Sequence, residues 1–250
     1  MLHNFVLFIS VFLASVVEGV EALTIVLAIG TTRGWRSAWY GTIAAFIILA
    51  LFVAVLGPGL TVIPISVLRI VVGGLLLIFG LQWLRKAILR ESGFKPKHDE
   101  TAIYKKTAAA ARTTKGIIRH GAIDDWYAFT VAFKSALLEG LEVAFIVVTF
   151  GASQGSIPLA TAAALTAIFA VILAGTIIHK PLAKVPENTL KFVVGIMLTS
   201  FGIFWSSEGI GIHWPGSELA LLAIIAFIAV TSVLQVSWLK QLHATVGKKA

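Results

Sequence analysis

Residues 12–34 read FLASVVEGVEALTIVLAIGTTRG, and residues 133–155 read FKSALLEGLEVAFIVVTFGASQG. The two segments align without a gap. Phe12/Phe133, Glu18/Glu139, Gly19/Gly140, Glu21/Glu142, Ile25/Ile146, Val26/Val147, Gly30/Gly151 and Gly34/Gly155 are identical. At nearly the same offset, LRIVVGGLLLIFGLQW (68–83) meets LKFVVGIMLTSFGIFW (190–205). Two apolar helices often look alike by chance. A shared E-G-x-E with matched glycines at a constant spacing is a repeat.

Working outward from these segments, the sequence predicts seven apolar spans: 5–30, 38–60, 65–86, 127–151, 157–178, 189–207 and 217–239. Each has the length needed to cross the ~30 Å hydrocarbon core. Gly/Pro-rich punctuation separates them, as in GPGLTVIP, GASQGSIP and HKPLAKVPEN. With 58% hydrophobic residues and 13% charged, the chain has too little polar surface for a soluble domain of 250 residues. The expected fold is an all-α integral membrane protein. The runs are also too long for the alternating strands of an outer-membrane barrel. The first span lacks a basic leader and carries two acids, so it reads as a mature helix rather than a signal peptide. Without cysteine, disulfides, iron–sulfur clusters and thiolate metal sites are excluded.

Each copy of the repeat holds three spans, an odd number, so the second copy inserts upside down. The sequence therefore predicts a 3+3 inverted-topology repeat plus one extra C-terminal helix, a plan that places substrate near the midplane. The expected organisation is a first repeat over 1–86, a basic loop over 87–126 suited to an amphipathic helix, an inverted second repeat over 127–212, and a seventh helix and tail over 213–250. Arg33 and Arg36, then Arg85, Lys86 and the cluster ending at Arg119, follow the first and third spans. Lys180, Lys184, Lys191, Lys240, Lys248 and Lys249 follow the fifth and seventh, and Lys134 can snorkel to the same side. Arg69 is the exception. The basic side is cytoplasmic by the positive-inside rule. That places the N-terminus outside and the C-terminus inside a cell membrane, and the net charge of +8 needs no nucleic acid.

Glu18 and Glu21 are spaced i,i+3 and project from one face of a helix; Glu139 and Glu142 do the same. If the two helices cross near the membrane centre, the four acids converge, with Gly19 and Gly140 letting the backbones approach. An ionised acid at that depth costs about 2.5–3.5 kcal/mol, and no Lys, Arg or His lies at the same depth. Either the acids are held protonated or a multivalent cation supplies the countercharge. All-oxygen ligands suit hard ions such as Fe(III), Mn(II), Mg(II) and Ca(II).

These features resemble the oxidase-dependent ferric iron permease family, whose two R-E-G-L-E motifs lie on the first and fourth of seven helices. The resemblance spans nearly the whole chain and implies iron uptake (Fe3+ or Fe2+, with Mn2+ as a further candidate), with Glu18, Glu21, Glu139 and Glu142 as metal ligands. It also implies an oxidase or extracytoplasmic metal donor as partner. An acidic motif before the family's last helix is matched here by WSSEGIGIHWPGSE, which makes Glu208, His213 and Glu218 candidates for an outer way in. Val17 and Leu138 stand where the family has arginine. That departure leaves the metal and its oxidation state open, and with them the need for an oxidase.

Ser15, Ser135, Thr199 and Ser200 are candidates to support the ligating acids through hydrogen bonds. Trp35, Trp39, Trp83, Trp126, Trp205, Trp214 and Trp238 fall near span ends and read as an interfacial belt. His3, His98, His120, His179 and His243 sit at loops or ends, so no metal role is assigned to them. No ATP-binding motif or organic cofactor signature is present. Catalysis inside the membrane would want a histidine at depth, so an enzyme is not expected. The rival functions are a proton-coupled divalent (Mn/Fe) exporter and a metal-binding sensor without transport; a homo-oligomer is compatible with each.

Overall fold

The computed structural model describes residues 2–60, 63–114, 123–178, 186–216 and 218–246. Arg119, His120, His179, Lys180, Lys184, Lys248 and Lys249 lie outside the described residues. Eight helices are described: α1 (Leu2–Arg33), α2 (Trp35–Leu60), α3 (Ile65–Glu91), α4 (Glu100–Thr113), α5 (Trp126–Ser153), α6 (Ile157–Ile178), α7 (Glu187–Gly209) and α8 (Glu218–Val246). Six of them, α1, α2, α3, α6, α7 and α8, are long and apolar enough to cross a membrane. The chain is an all-helical, multi-pass membrane protein. The 28-residue α5 is not among the six and carries Lys134, Glu139 and Glu142. Gly34 and Gly155, identical in the alignment, follow α1 and α5 with φ of 104° and 64°. Those left-handed values explain why glycine stands at the end of both motif helices.

The chain divides into two compact units. The first comprises residues 1–58, 99–148 and 157–185; the second comprises 59–98, 149–156 and 186–250.

Within the first unit, α1 packs on α6 and α4. A helix does form in the basic connection, because its alanines Ala108 and Ala111 are buried while Lys105, Lys106 and Arg112 stay exposed. Asp99 caps its N-terminus by accepting the Ala102 N–H at 3.0 Å. Arg33 holds its C-terminus, donating to the carbonyls of Ala111 (2.7 Å) and Thr114 (2.8 Å). The same guanidinium donates through Nε to Asp125 Oδ2. Asp125 Oδ1 in turn caps α5 by accepting the N–H groups of Tyr127 and Ala128. One largely buried ion pair therefore ties the ends of α1, α4 and α5 together. Removing one partner of such a pair costs about 3–5 kcal/mol because the other charge stays behind. Arg33→Ala is expected to lower the unfolding temperature and to open α4 to trypsin at Lys105 and Lys106. Thermal unfolding and limited proteolysis of the purified protein check it.

In the second unit α3 and α7 run antiparallel along a seam of small residues. A Cβ built on Gly73 would meet the Ser206 nitrogen at 2.6 Å, and one on Gly195 would meet the Leu84 nitrogen at 2.9 Å. Cβ atoms on Gly80 and Gly202 would run into the backbones of Thr199 and Leu77. Shifting by 122 residues turns the Gly73–Ser206 contact into Gly195–Leu84, and Gly80–Thr199 into Gly202–Leu77. Trp83 and Trp205 are 1% and 5% exposed: Trp205 packs on Phe150 and Phe201, and Trp83 lies under the Lys191 ammonium. They are core residues, which corrects the belt expectation for this pair: Trp83 is met by α7 and Trp205 by the end of α5. Trp35, Trp39, Trp126 and Trp238 are exposed, as a belt requires.

Lys191 needs a second correction. Instead of marking a loop it is buried in α7, 3.4 Å from Glu187. Arg90 and His98 also reach that carboxylate, at 3.0 and 3.3 Å. Four ionisable groups thus share one apolar site, where a lone charge would be far costlier than a networked one.

Candidate metal centre

Glu18 and Glu21 stand one helical turn apart on α1, and Glu139 stands on α5. One carboxylate oxygen from each lies within 4.8 Å of the other two. Two oxygens bound to a single hard cation are at most about twice a metal–oxygen bond apart, roughly 4–5 Å. The three acids thus already occupy the volume of one coordination sphere. Glu18 is 1% exposed, and Glu21 and Glu139 are partly buried. Glu142, three residues beyond Glu139 and partly buried, is not in this group of three.

The surroundings are apolar. Val17 and Val20 flank Glu18 at 0% and 1% exposure, and Val143 and Ala144 follow Glu142 in the core. A cavity of about 550 Å³ reaches Glu18 and Glu139, walled by α2 and α6 residues such as Phe46, Leu49 and Val171. Ser15 also lines it, one turn before Glu18, with its Oγ buried and without a hydrogen-bond partner. Ser135 Oγ, one turn before Glu139, is likewise buried and unpartnered. Thr42, in the same wall, spends its hydroxyl on the Ala38 carbonyl at 2.9 Å. The cavity went unanticipated in the sequence. Trp39 and Thr42, which help to wall it, look there like ordinary residues of an apolar helix.

Gly19 and Gly140 do not act as expected. A Cβ built on Gly19 would meet Val171 of α6 at an ordinary 3.6 Å, and one built on Gly140 would run into the Leu49 side chain of α2. Gly140 makes room for α2 while the space at Gly19 would admit a methyl, so the expected α1–α5 approach is not what they serve. Gly19→Ala is therefore expected to leave unfolding within about 1 kcal/mol of wild type, as a helix gains from alanine and nothing must move. A thermal melt decides.

The remaining candidates belong to the second unit. Thr199 Oγ1 is buried without a partner, and Ser200 donates to the Ile196 carbonyl of its own helix at 2.8 Å. Glu208 pairs with Arg69 at 3.4 Å, which explains how a basic residue is tolerated at the head of α3. His213 is exposed, while Glu218 opens α8 and its side chain lies outside the described residues. Comparison with family models, curated proteins and solved structures finds no match.

Proposed function

We propose that the chain is a membrane permease for a hard metal cation, with iron uptake the foremost activity. The observation that carries this reading is the meeting of Glu18, Glu21 and Glu139 in apolar surroundings. Three carboxylates at one point repel each other, and a multivalent cation is the partner that removes the cost. Hydrogen-bonded glue would need at most two acids. Glu142 stands one turn on from Glu139 and serves as the next ligand along the path. Ser15 and Ser135 supply hydroxyls to the acids from the preceding turns.

In this reading α5 is a seventh span, and α1–α3 and α5–α7 form the inverted repeat. The seam contacts that map onto each other under a 122-residue shift support it, as do Gly19–Val171 in α1–α6 and Gly140–Leu49 in α5–α2. The N-terminus is outside the cell membrane and the C-terminus in the cytoplasm. Fe3+, Fe2+ and Mn2+ are the candidate cargoes. With Val17 and Leu138 in place of the motif arginines, a partner oxidase is not built into the proposal.

The test is flux in proteoliposomes presented in turn with external radiolabelled iron and manganese. Saturable entry that empty liposomes lack supports a permease. Flux only against an opposing proton gradient would instead support the divalent exporter. Stoichiometric binding with no flux would replace transport with sensing.

A further inference from the structure

A second cavity lies in the second unit, between α3 and α8. Its volume is about 370 Å³, and its walls include Leu81, Leu84 and Ile228. Three polar groups converge on it: Arg85 from α3, Gln235 from α8 and Thr199 from α7. None has spent its hydrogen-bonding capacity. Of the five arginines on α1, α2 and α3, Arg33, Arg36, Arg69 and Arg90 each pair with a carboxylate. Among the described residues, Arg85 pairs with none. Gln235 is exposed in an otherwise apolar helix, and Thr199 Oγ1, in the lining of the groove, is buried with no partner. By contrast the neighbouring Thr231 and Ser232 hydroxyls donate to their own helix.

The depth is also informative. Lys240 of α8 reaches Glu91 of α3 at 3.4 Å, tying the two helices together just beyond the lining residues Leu89 and Leu239. Arg85 stands six residues before Glu91, about 9 Å along the helix. With the apolar span of α3 read as 65–86, Arg85 stands at its end, where lipid phosphates are within reach, and Leu81 and Leu84 stand deeper. A free anion would leave those walls uncovered, and a neutral tail would leave Arg85 unmatched. Basic pockets between transmembrane helices take lipid headgroups for this reason.

We infer that the α3–α8 groove is a binding site for one anionic phospholipid. Its phosphate sits on Arg85 with Gln235 donating a second hydrogen bond, and the first part of one acyl chain lies along Leu81 and Ile228. The volume admits a headgroup and the start of a chain rather than a whole lipid.

The test is native mass spectrometry of the full-length protein in detergent, titrated with dioleoyl phosphatidylglycerol, with phosphatidylcholine of the same chains, and with inorganic phosphate. Wild type is expected to hold one phosphatidylglycerol about tenfold more tightly than phosphatidylcholine, whose choline cation offsets the same phosphate and repels Arg85. Arg85→Gln is expected to erase that preference, while Arg112→Gln on α4 leaves it intact. Retained preference in Arg85→Gln overturns the site. So does displacement of the lipid by an equal concentration of inorganic phosphate, which would make it an anion site. Should Arg85→Gln fail to fold, a photoactivatable phosphatidylglycerol on wild type replaces it. Crosslinks within 81–89 and 228–239 support the site, and their absence from both stretches refutes it.

Discussion

Replacing Glu18 and Glu139 together with glutamine is expected to abolish saturable metal flux while the protein still folds. Glutamine keeps the shape of glutamate but turns one acceptor oxygen into an N–H donor, so packing beside Val17 and Val20 is preserved while the hydrogen-bond pattern is not. What it removes is charge, and two of the three carboxylates that meet would then be neutral. Replacing buried ions by well-packed neutral groups is often neutral or stabilising for the fold, whereas stranding a buried charge costs about 3–5 kcal/mol. For a bound cation a loss of that size corresponds to about 10²–10⁴-fold in affinity. Metal added at about 100 times its Kd stabilises wild type by about 2.7 kcal/mol, and that increment is expected to vanish in the double variant. The metal-free melting temperature separates ligands from glue. Ligands leave it unchanged or raised, whereas glue lowers it whether or not metal is present. Glu142→Gln, outside the group of three, is expected to slow flux by a smaller factor than Glu18→Gln. Undiminished flux in the double variant would end the proposal.

The helices and the acids were legible in the sequence because both rest on short-range physics. Apolar runs of membrane length and an i,i+3 pair of acids need only helical periodicity, and α6 spans the same residues in the sequence reading and in the structure. Partner choice is different, since it depends on which faces meet. Val17 and Leu138 occupy equivalent motif positions, yet Val17 is fully buried and Leu138 is half exposed. A repeat in sequence thus carries no guarantee of a repeat in burial. The same limit explains Trp83, Trp205 and Lys191, all near span ends by count and all turned inward by the α3–α7 pairing. Arg33 was read only as a topology marker. Its contacts to Ala111, Thr114 and Asp125 join residues some 78–92 positions away, and no local pattern announces them.

Gly202→Ala is expected to destabilise the second unit by more than about 4 kcal/mol, the range reached only when a core must be forced apart. On an exposed helix the same change would gain about 0.5–1 kcal/mol, because glycine loses the most backbone freedom on folding. Gly74 supplies that control: it sits in the same helix as Gly73, and nothing lies within 4 Å of a Cβ placed there. Gly74→Ala is expected to raise the melting temperature slightly. The difference between the sites is the kind of atom that meets the new methyl. At Gly140 the nearest atom is the tip of the Leu49 side chain, so Leu49→Ala should rescue Gly140→Ala in a double-variant melt. At Gly202 the nearest atoms are the Leu77 nitrogen and Cα. Trimming Leu77 to alanine leaves that backbone in place, so no rescue is expected there. If Leu77→Ala does restore Gly202→Ala, side chains rather than backbones set the α3–α7 spacing, and the seam is looser than its contacts require.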